Sequence, residues 1–339
     1  MIPIDPLAMM VGYLIYLFSQ VFLWLLIAGL LALLFTRCRR YMLARRWRFA
    51  LLAVGLAIGS VPFAKIEFAQ RADQRAHQPR LEHEEVLGDL VLPAGTQVRL
   101  DRLEPMNDLS GNPVPYGLQS LKHADFDRTL GDIMGMRVRS LALWQGHGSA
   151  TVESLTASEV QGWSCLPGEI EFRFPFGAHF NFSEWRLERC TLASGVEVGG
   201  VAWPPGSQVR AIELGRWRVT GDGTPMRFET VDLSNLDLTL SDKDRTVFSW
   251  EGQLHQPLER GPMQYLAGTL VSGYRDNLLF TPTEAAPAHD LRTGQPVEPG
   301  FSVEQSRAGE VLGMHSARDV RCYYWKRWWP GDEHPAVCE

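Results

Sequence analysis

Hydrophobic and polar positions divide the chain into two regimes. Residues 8–36 (AMMVGYLIYLFSQVFLWLLIAGLLALLFT) contain no charged side chain. That run exceeds the ~20 apolar residues that carry a helix across a bilayer. A second run, FALLAVGLAIGSVPFA at 49–64, covers roughly 24 Å as a helix, short of a ~30 Å hydrocarbon core. Ile66 and Phe68 extend it, with Lys65 snorkelling to the headgroups. The first run is too long, and too poor in basic residues at its start, for a cleaved signal peptide. A buried helix is the alternative for the second run, and it would put the large domain on the other side of the membrane.

Beyond residue 84 the period changes. Short alternating segments such as TQVRL, EIEFRF, HFNFSEW and TVFSW are punctuated by Gly and Pro, a β-rich signal. The polar stretch 67–84 reads as a helical extension of the second span that ends near Pro79. The pattern predicts two N-terminal transmembrane helices followed by an all-β, hairpin-repeat domain. Its divisions are an anchor at 1–68, a linker or stalk at 69–84, a β-repeat domain at 85–321 and an aromatic C-terminal loop at 322–339.

The repeat is visible in the glycines. A Gly is followed six or seven positions later by a second Gly, with an apolar residue three further on. Gly88, Gly95 and Val98 fit, as do Gly200, Gly206 and Val209. So do Gly261, Gly268 and Val271, and Gly294, Gly300 and Val303. Gly162 and Gly168 begin the pattern, but Glu171 breaks it. The first Gly supplies an unusual backbone angle. The second suits a type II turn after Pro or Ala. Each unit is a hairpin-like piece that buries its apolar face only by stacking on others. The region 101–149 fits worst, and DFDRTLGDIMG reads as a helical turn or an insertion.

Units such as VEVGGVAWPPGSQV and VLGDLVLPAGTQV, with VFSWEGQL at 247–254, resemble MORN-variant repeats of the YwqK-type antitoxin proteins. The resemblance covers about 85–310, and the usual Tyr-x-x-Gly pattern of MORN repeats is mostly absent. It implies a β-repeat binding module and carries over no catalytic residue.

Charge sets the orientation. Arg37, Arg39, Arg40, Arg45, Arg46 and Arg48 lie between the two runs, so the positive-inside rule puts that loop in the cytoplasm. The large domain then lies outside, on the periplasmic side of a bacterial inner membrane. The net charge of −6 gives no reason to expect nucleic-acid binding. Cys38 falls in the arginine loop, whereas Cys165, Cys190, Cys322 and Cys338 fall in the external part. An even number there suits two disulfides. Four cysteines allow three connectivities, of which Cys165–Cys190 and Cys322–Cys338 are the sequence-local choice.

Candidate chemistry is sparse. The nine histidines make no metal-ligand spacing, and there is no Walker loop, GxGxxG or EF-hand loop. The stretch WQGHGS at 144–149 places a hydroxyl near an imidazole but lacks the GxSxG elbow. No catalytic, cofactor or metal residue is predicted. The tail CYYWKRWWPGDEHPAVC is rich in the residue types of binding hot spots. Tyr323, Tyr324, Trp325, Arg327, Trp328 and Trp329 are the candidate partner contacts, with a core-closing aromatic strand and contact with the membrane headgroup layer as the alternatives. The expectation is a membrane-embedded binding protein with a protein partner. An immunity protein that neutralises a secreted toxin comes first, and a structural or assembly component of the envelope second. An envelope enzyme with an unrecognised site comes third.

Overall fold

The computed structural model describes residues 6–35, 40, 46–213, 215–241, 244–329 and 338. Cys38, most of the arginine loop and residues 330–337 lie outside the described residues. The chain forms two compact units, one from Met1–Pro79 with Val98–Ser120 and one from Arg80–Gln97 with Leu121–Glu339.

The first unit is built on helices α1 (Pro6–Ala32) and α2 (Arg46–His77). Both are long and apolar enough to cross a membrane. A buried soluble-core helix would hide its apolar side chains. Here Leu51 is 70% and Ile58 66% exposed, so α2 presents its apolar surface outward, as a span does. Pro62 sits inside α2 and removes one backbone donor from the ladder. Next to that break, the fully buried Ser19 of α1 spans one rung of α2. Its hydroxyl donates to the Gly59 carbonyl at 2.8 Å and accepts from the Phe63 N–H at 2.8 Å. Satisfying backbone groups around a helix-breaking residue with a serine is how such a break is tolerated where water is absent. Gly59 permits the contact, since a Cβ there would lie 2.3 Å from the Phe22 ring. The polar stretch after the second run continues the helix, since α2 runs on to His77.

The second unit is one long antiparallel sheet in simple sequence order. Its strands are β1 (Leu121–Asp125), β2 (Met136–Trp144), β3 (Ser149–Ser154), β4 (Gly168–Arg173), β5 (Arg186–Thr191), β6 (Gln208–Ile212) and β7 (Arg216–Thr220). The path continues through β8 (Val231–Ser241), β9 (Val247–Leu254), β10 (Leu270–Tyr274), β11 (Asn277–Thr281), β12 (Phe301–Gln305) and β13 (Val311–Ser316). Each strand pairs with the next in sequence. Burial alternates along most of them, as in β2 and β9, so one face is apolar and covered and the other polar.

The apolar face is covered by small hairpins, one preceding β1 and the others inserted between sheet strands. Three of them are superimposable in sequence without a gap, as Leu81–Leu100, Leu192–Ala211 and Leu254–Gly273. In each, the first residue's N–H donates to the carbonyl of Thr96, Ser207 or Thr269, closing the insertion at its base. Seven positions in stand Gly88, Gly199 and Gly261, at φ 58°, 65° and 54°. The repeating glycine of the middle unit is therefore Gly199, not the Gly200 expected from spacing to Gly206. Seven further on, Gly95, Gly206 and Gly268 have φ 91°, 96° and 86°, the third position of a type II turn. The hydroxyl that follows each of them is fully buried and donates to the carbonyl that opens the turn, at 2.7, 2.9 and 2.8 Å.

Each hairpin lies over strands that come later in the chain. Trp163, from the hairpin between β3 and β4, packs on Trp217 of β7 at 5.2 Å. Tyr265, between β9 and β10, stacks on Phe280 of β11 at 4.1 Å and donates to Gln305 of β12 at 3.1 Å. At these crossings a Cβ on Gly88 would lie 2.5 Å from the Phe180 carbonyl oxygen, and one on Gly261 2.1 Å from that of Gly309. The disulfide Cys165–Cys190 ties one hairpin to β5, and Cys322–Cys338 is the second bridge. The sequence-local pairing is the one adopted.

Two further sequence expectations are corrected. The segment around DFDRTLGDIMG is neither helical nor an insertion. Gly131–Ile133 folds back on β2 through Met134 and Gly135, both with positive φ. Residues 317–328 are neither repeat, loop nor strand but a helix, α3 (Ala317–Trp328).

The two glycine classes of a repeat predict different mutational costs. Gly268→Ala meets only a backbone-angle penalty, about 1 kcal/mol. Gly261→Ala adds a backbone clash and loses ~3 kcal/mol or more. Urea unfolding of the two variants, followed by tryptophan fluorescence, is expected to show that order.

Candidate functional site

Helix α3 covers the polar face at the C-terminal end of the sheet. Its start is fixed by a reciprocal cap. Ser316 Oγ accepts from the Asp319 N–H, and the Asp319 carboxylate accepts from the Ser316 N–H. The Ser316 hydroxyl also donates to the Asp319 carboxylate at 2.7 Å, and this bond, then the one from the Ser316 N–H, holds the Asp319 carboxyl below its ordinary range. Lys326 and Arg327 occupy the last turn, where cations complement the helix dipole.

The sheet-facing side of α3 carries Tyr323, Tyr324, Arg327 and Trp328. Tyr324 donates its hydroxyl to the Gly273 carbonyl at 2.7 Å and lies 3.0 Å from Ser272 Oγ. Burial pushes its phenol up to about 12. Tyr323 accepts from the Arg275 N–H at 2.9 Å and from the Arg327 guanidinium at 3.2 Å. Arg327 also donates to the Phe248 carbonyl. Trp328 meets Phe248 edge-on at 5.3 Å, and the Arg216 guanidinium lies over both rings, at 3.7 Å from Phe248 and 4.9 Å from Trp328. Such cation–π contacts gain strength where water is excluded. Burial, then the neighbouring Arg327, lowers the Arg216 pKa. At the start of the helix, buried Glu304 accepts from Asn277 and lies 2.7 Å from His315, whose ring packs on Tyr274.

Between α3 and the sheet remains a recess of about 230 Å³, lined by Arg218, Asp237, Thr239, Ser249, Trp250, Glu251, Ser272, Tyr324 and Trp328. Strand register arranges its floor. Asp237 of β8 pairs with Glu251 of β9, and Glu251 with Ser272 of β10. Alongside run Arg218, Thr239 and Ser249, again directly opposed. Two carboxylates facing each other across neighbouring strands is an unfavourable pairing. The closest compensation is Arg218, whose Nε is 3.5 Å from one Asp237 oxygen, longer than a charge-assisted hydrogen bond. Desolvation, opposed by Arg218 and reinforced by Glu251, pushes the Asp237 carboxyl up to about 6.

The tail residues predicted as partner contacts thus divide. Tyr323, Tyr324, Arg327 and Trp328 hold α3 on the sheet. Trp325 and Trp329, half-buried, pair with each other at 6.1 Å. The recess was not predicted, although Asp237, Thr239, Ser249 and Glu251 of its floor occupy the outward positions of the alternating segments DLSNLDLTLS and VFSWEGQL. Cross-strand register brings them together, and no spacing within one segment encodes register. Among the described residues no three His, Cys, Asp or Glu side chains gather as metal ligands. No family model matches the chain, and no curated protein matches it.

The raised Asp237 carboxyl gives a signed prediction. Between about pH 4 and 6 the folded state retains a proton that the unfolded state has lost, so this group's contribution to stability falls as pH rises. Asp237→Asn is therefore expected to stabilise the protein at pH 7 by about 1–2 kcal/mol, after allowance for its partial exposure. The gain disappears below about pH 4. Denaturant unfolding of variant and parent at the two pH values checks it.

Proposed function

We propose that the chain is a membrane-anchored binding protein whose β-repeat domain works on the periplasmic side of a bacterial inner membrane, without catalysis. Its specific role in this reading is immunity: the domain binds a secreted toxin that reaches the periplasm and keeps it from its target. The observation that carries the compartment is the pair of disulfides in the large domain, Cys165–Cys190 and Cys322–Cys338. Disulfides belong to oxidising compartments, in agreement with the arginine-rich loop on the opposite side of the membrane.

The binding role is supported by the sheet itself. Away from α3, its polar face is a regular field of paired charges. Examples are Arg139 with Glu153, Arg173 with Glu188, and Arg189 with Glu171. A rigid face of this kind recognises a partner by complementary charge, which sets specificity and on-rate more than affinity. The resemblance to antitoxin repeats points the same way. Trp325 and Trp329 are the tail aromatics left to contact a partner.

Thiol reagent applied from outside the cell is expected to label the four domain cysteines only after reduction. The reading requires a secreted effector encoded beside this gene: directed to the periplasm it is expected to arrest growth, and co-expression of this chain to restore it. Failure to rescue from each neighbouring effector, with an envelope defect in a deletion strain under no attack, would replace the immunity reading with the envelope-assembly one.

A further inference from the structure

The recess beneath α3 has a composition that a purely structural cover does not need. An amphipathic helix docks on a sheet by apolar contact, yet Asp237, Glu251, Thr239, Ser249 and Ser272 leave a carboxylate and hydroxyl floor under Tyr324 and Trp328. With both acids ionised and Arg218 charged, the floor carries one net negative charge. Arg218 offsets only Asp237, at 3.5 Å, and solvent-exposed Glu251 has no ion pair among the described residues.

We propose that this recess binds a hydroxylated organic cation, a primary ammonium carried on a polyol or sugar frame. The ammonium sits between Asp237 and Glu251, which are adjacent across β8 and β9, and balances the excess charge. The hydroxyls of Thr239, Ser249 and Ser272 match the ligand's own hydroxyls, since each can both donate and accept. Trp328 offers a ring to the ligand's C–H face. A divalent metal fits less well: calcium takes six to eight oxygen ligands, and only two carboxylates stand here. The site is independent of the immunity role, which concerns a protein partner.

The test is calorimetric titration of the detergent-solubilised full chain with D-glucosamine, with D-glucose as the neutral counterpart. At pH 7 glucosamine is expected to bind, and glucose at least about tenfold more weakly, the scale of one charge-assisted contact. Asp237→Asn and Glu251→Gln each weaken glucosamine binding by a similar factor. Lowering the pH to 5, where Asp237 takes up a proton, does the same. Ser249→Leu fills the recess without changing charge and abolishes binding, while circular dichroism confirms that each variant is folded. The proposal is overturned if glucosamine does not bind, if glucose binds equally well, if both charge variants bind like the parent, or if calcium binds in a manner lost in Glu251→Gln.

Discussion

The β domain depends on one recurring contact: a hairpin backbone pressed, at a glycine, against chain that comes later in the sequence. Gly88 against the Phe180 carbonyl and Gly261 against the Gly309 carbonyl leave no room for a Cβ. The approach lets the hairpin's apolar residues reach the sheet. Leu87, Leu90 and Leu92 in the first repeat, and Val198, Val201 and Trp203 in the second repeat, are buried. A single sheet has two faces and cannot bury either alone. Here the insertions supply the missing layer, and each one covers strands downstream of its own. Each repeat therefore leans on the next, and the meander is held in register by more than its ladders.

The C-terminal end differs because both faces are covered there. In β11 and β12, Leu278–Phe280 and Ser302–Gln305 are buried in succession, as are Leu238–Leu240 of β8, where most of the sheet alternates. Helix α3 is the second cover, fixed by the Ser316 cap and the Tyr324 hydroxyl. It meets polar outward positions that no apolar side chain fills, and the recess is what remains between them. The same mismatch keeps Asp237 partly out of water beside Glu251. A group that weakens the fold where it stands is the pattern expected of a site retained for binding.

Much of this was legible in the sequence. Two uncharged runs, the arginines between them and the change of period at about residue 84 specify two spans and a β domain. The recurring glycines mark the turns because only positive φ satisfies them. Cysteine spacing points to the right bridges. Three features escaped. Gly199 and Gly200 are adjacent, and only the fold shows which one makes the crossing. Helix α3 was hidden by its aromatic content, although Ser316 with Asp319 is a capping-box signal. Val320, Tyr323, Tyr324, Arg327 and Trp328 also follow the helical period. The recess lay beyond reach because register sets which outward residues meet, and register is fixed by hairpins far away in sequence.

The account stands or falls on the equivalence of the three gap-free units. Amide hydrogen exchange of the intact protein reads it directly, at the N–H groups of Leu81, Leu192 and Leu254, which close the three insertions. The account predicts that all three are strongly protected and open together under mild denaturant, as parts of one interlocked layer. Exchange of any one of them at the rate of a free loop, while its neighbouring sheet strands stay protected, would contradict it.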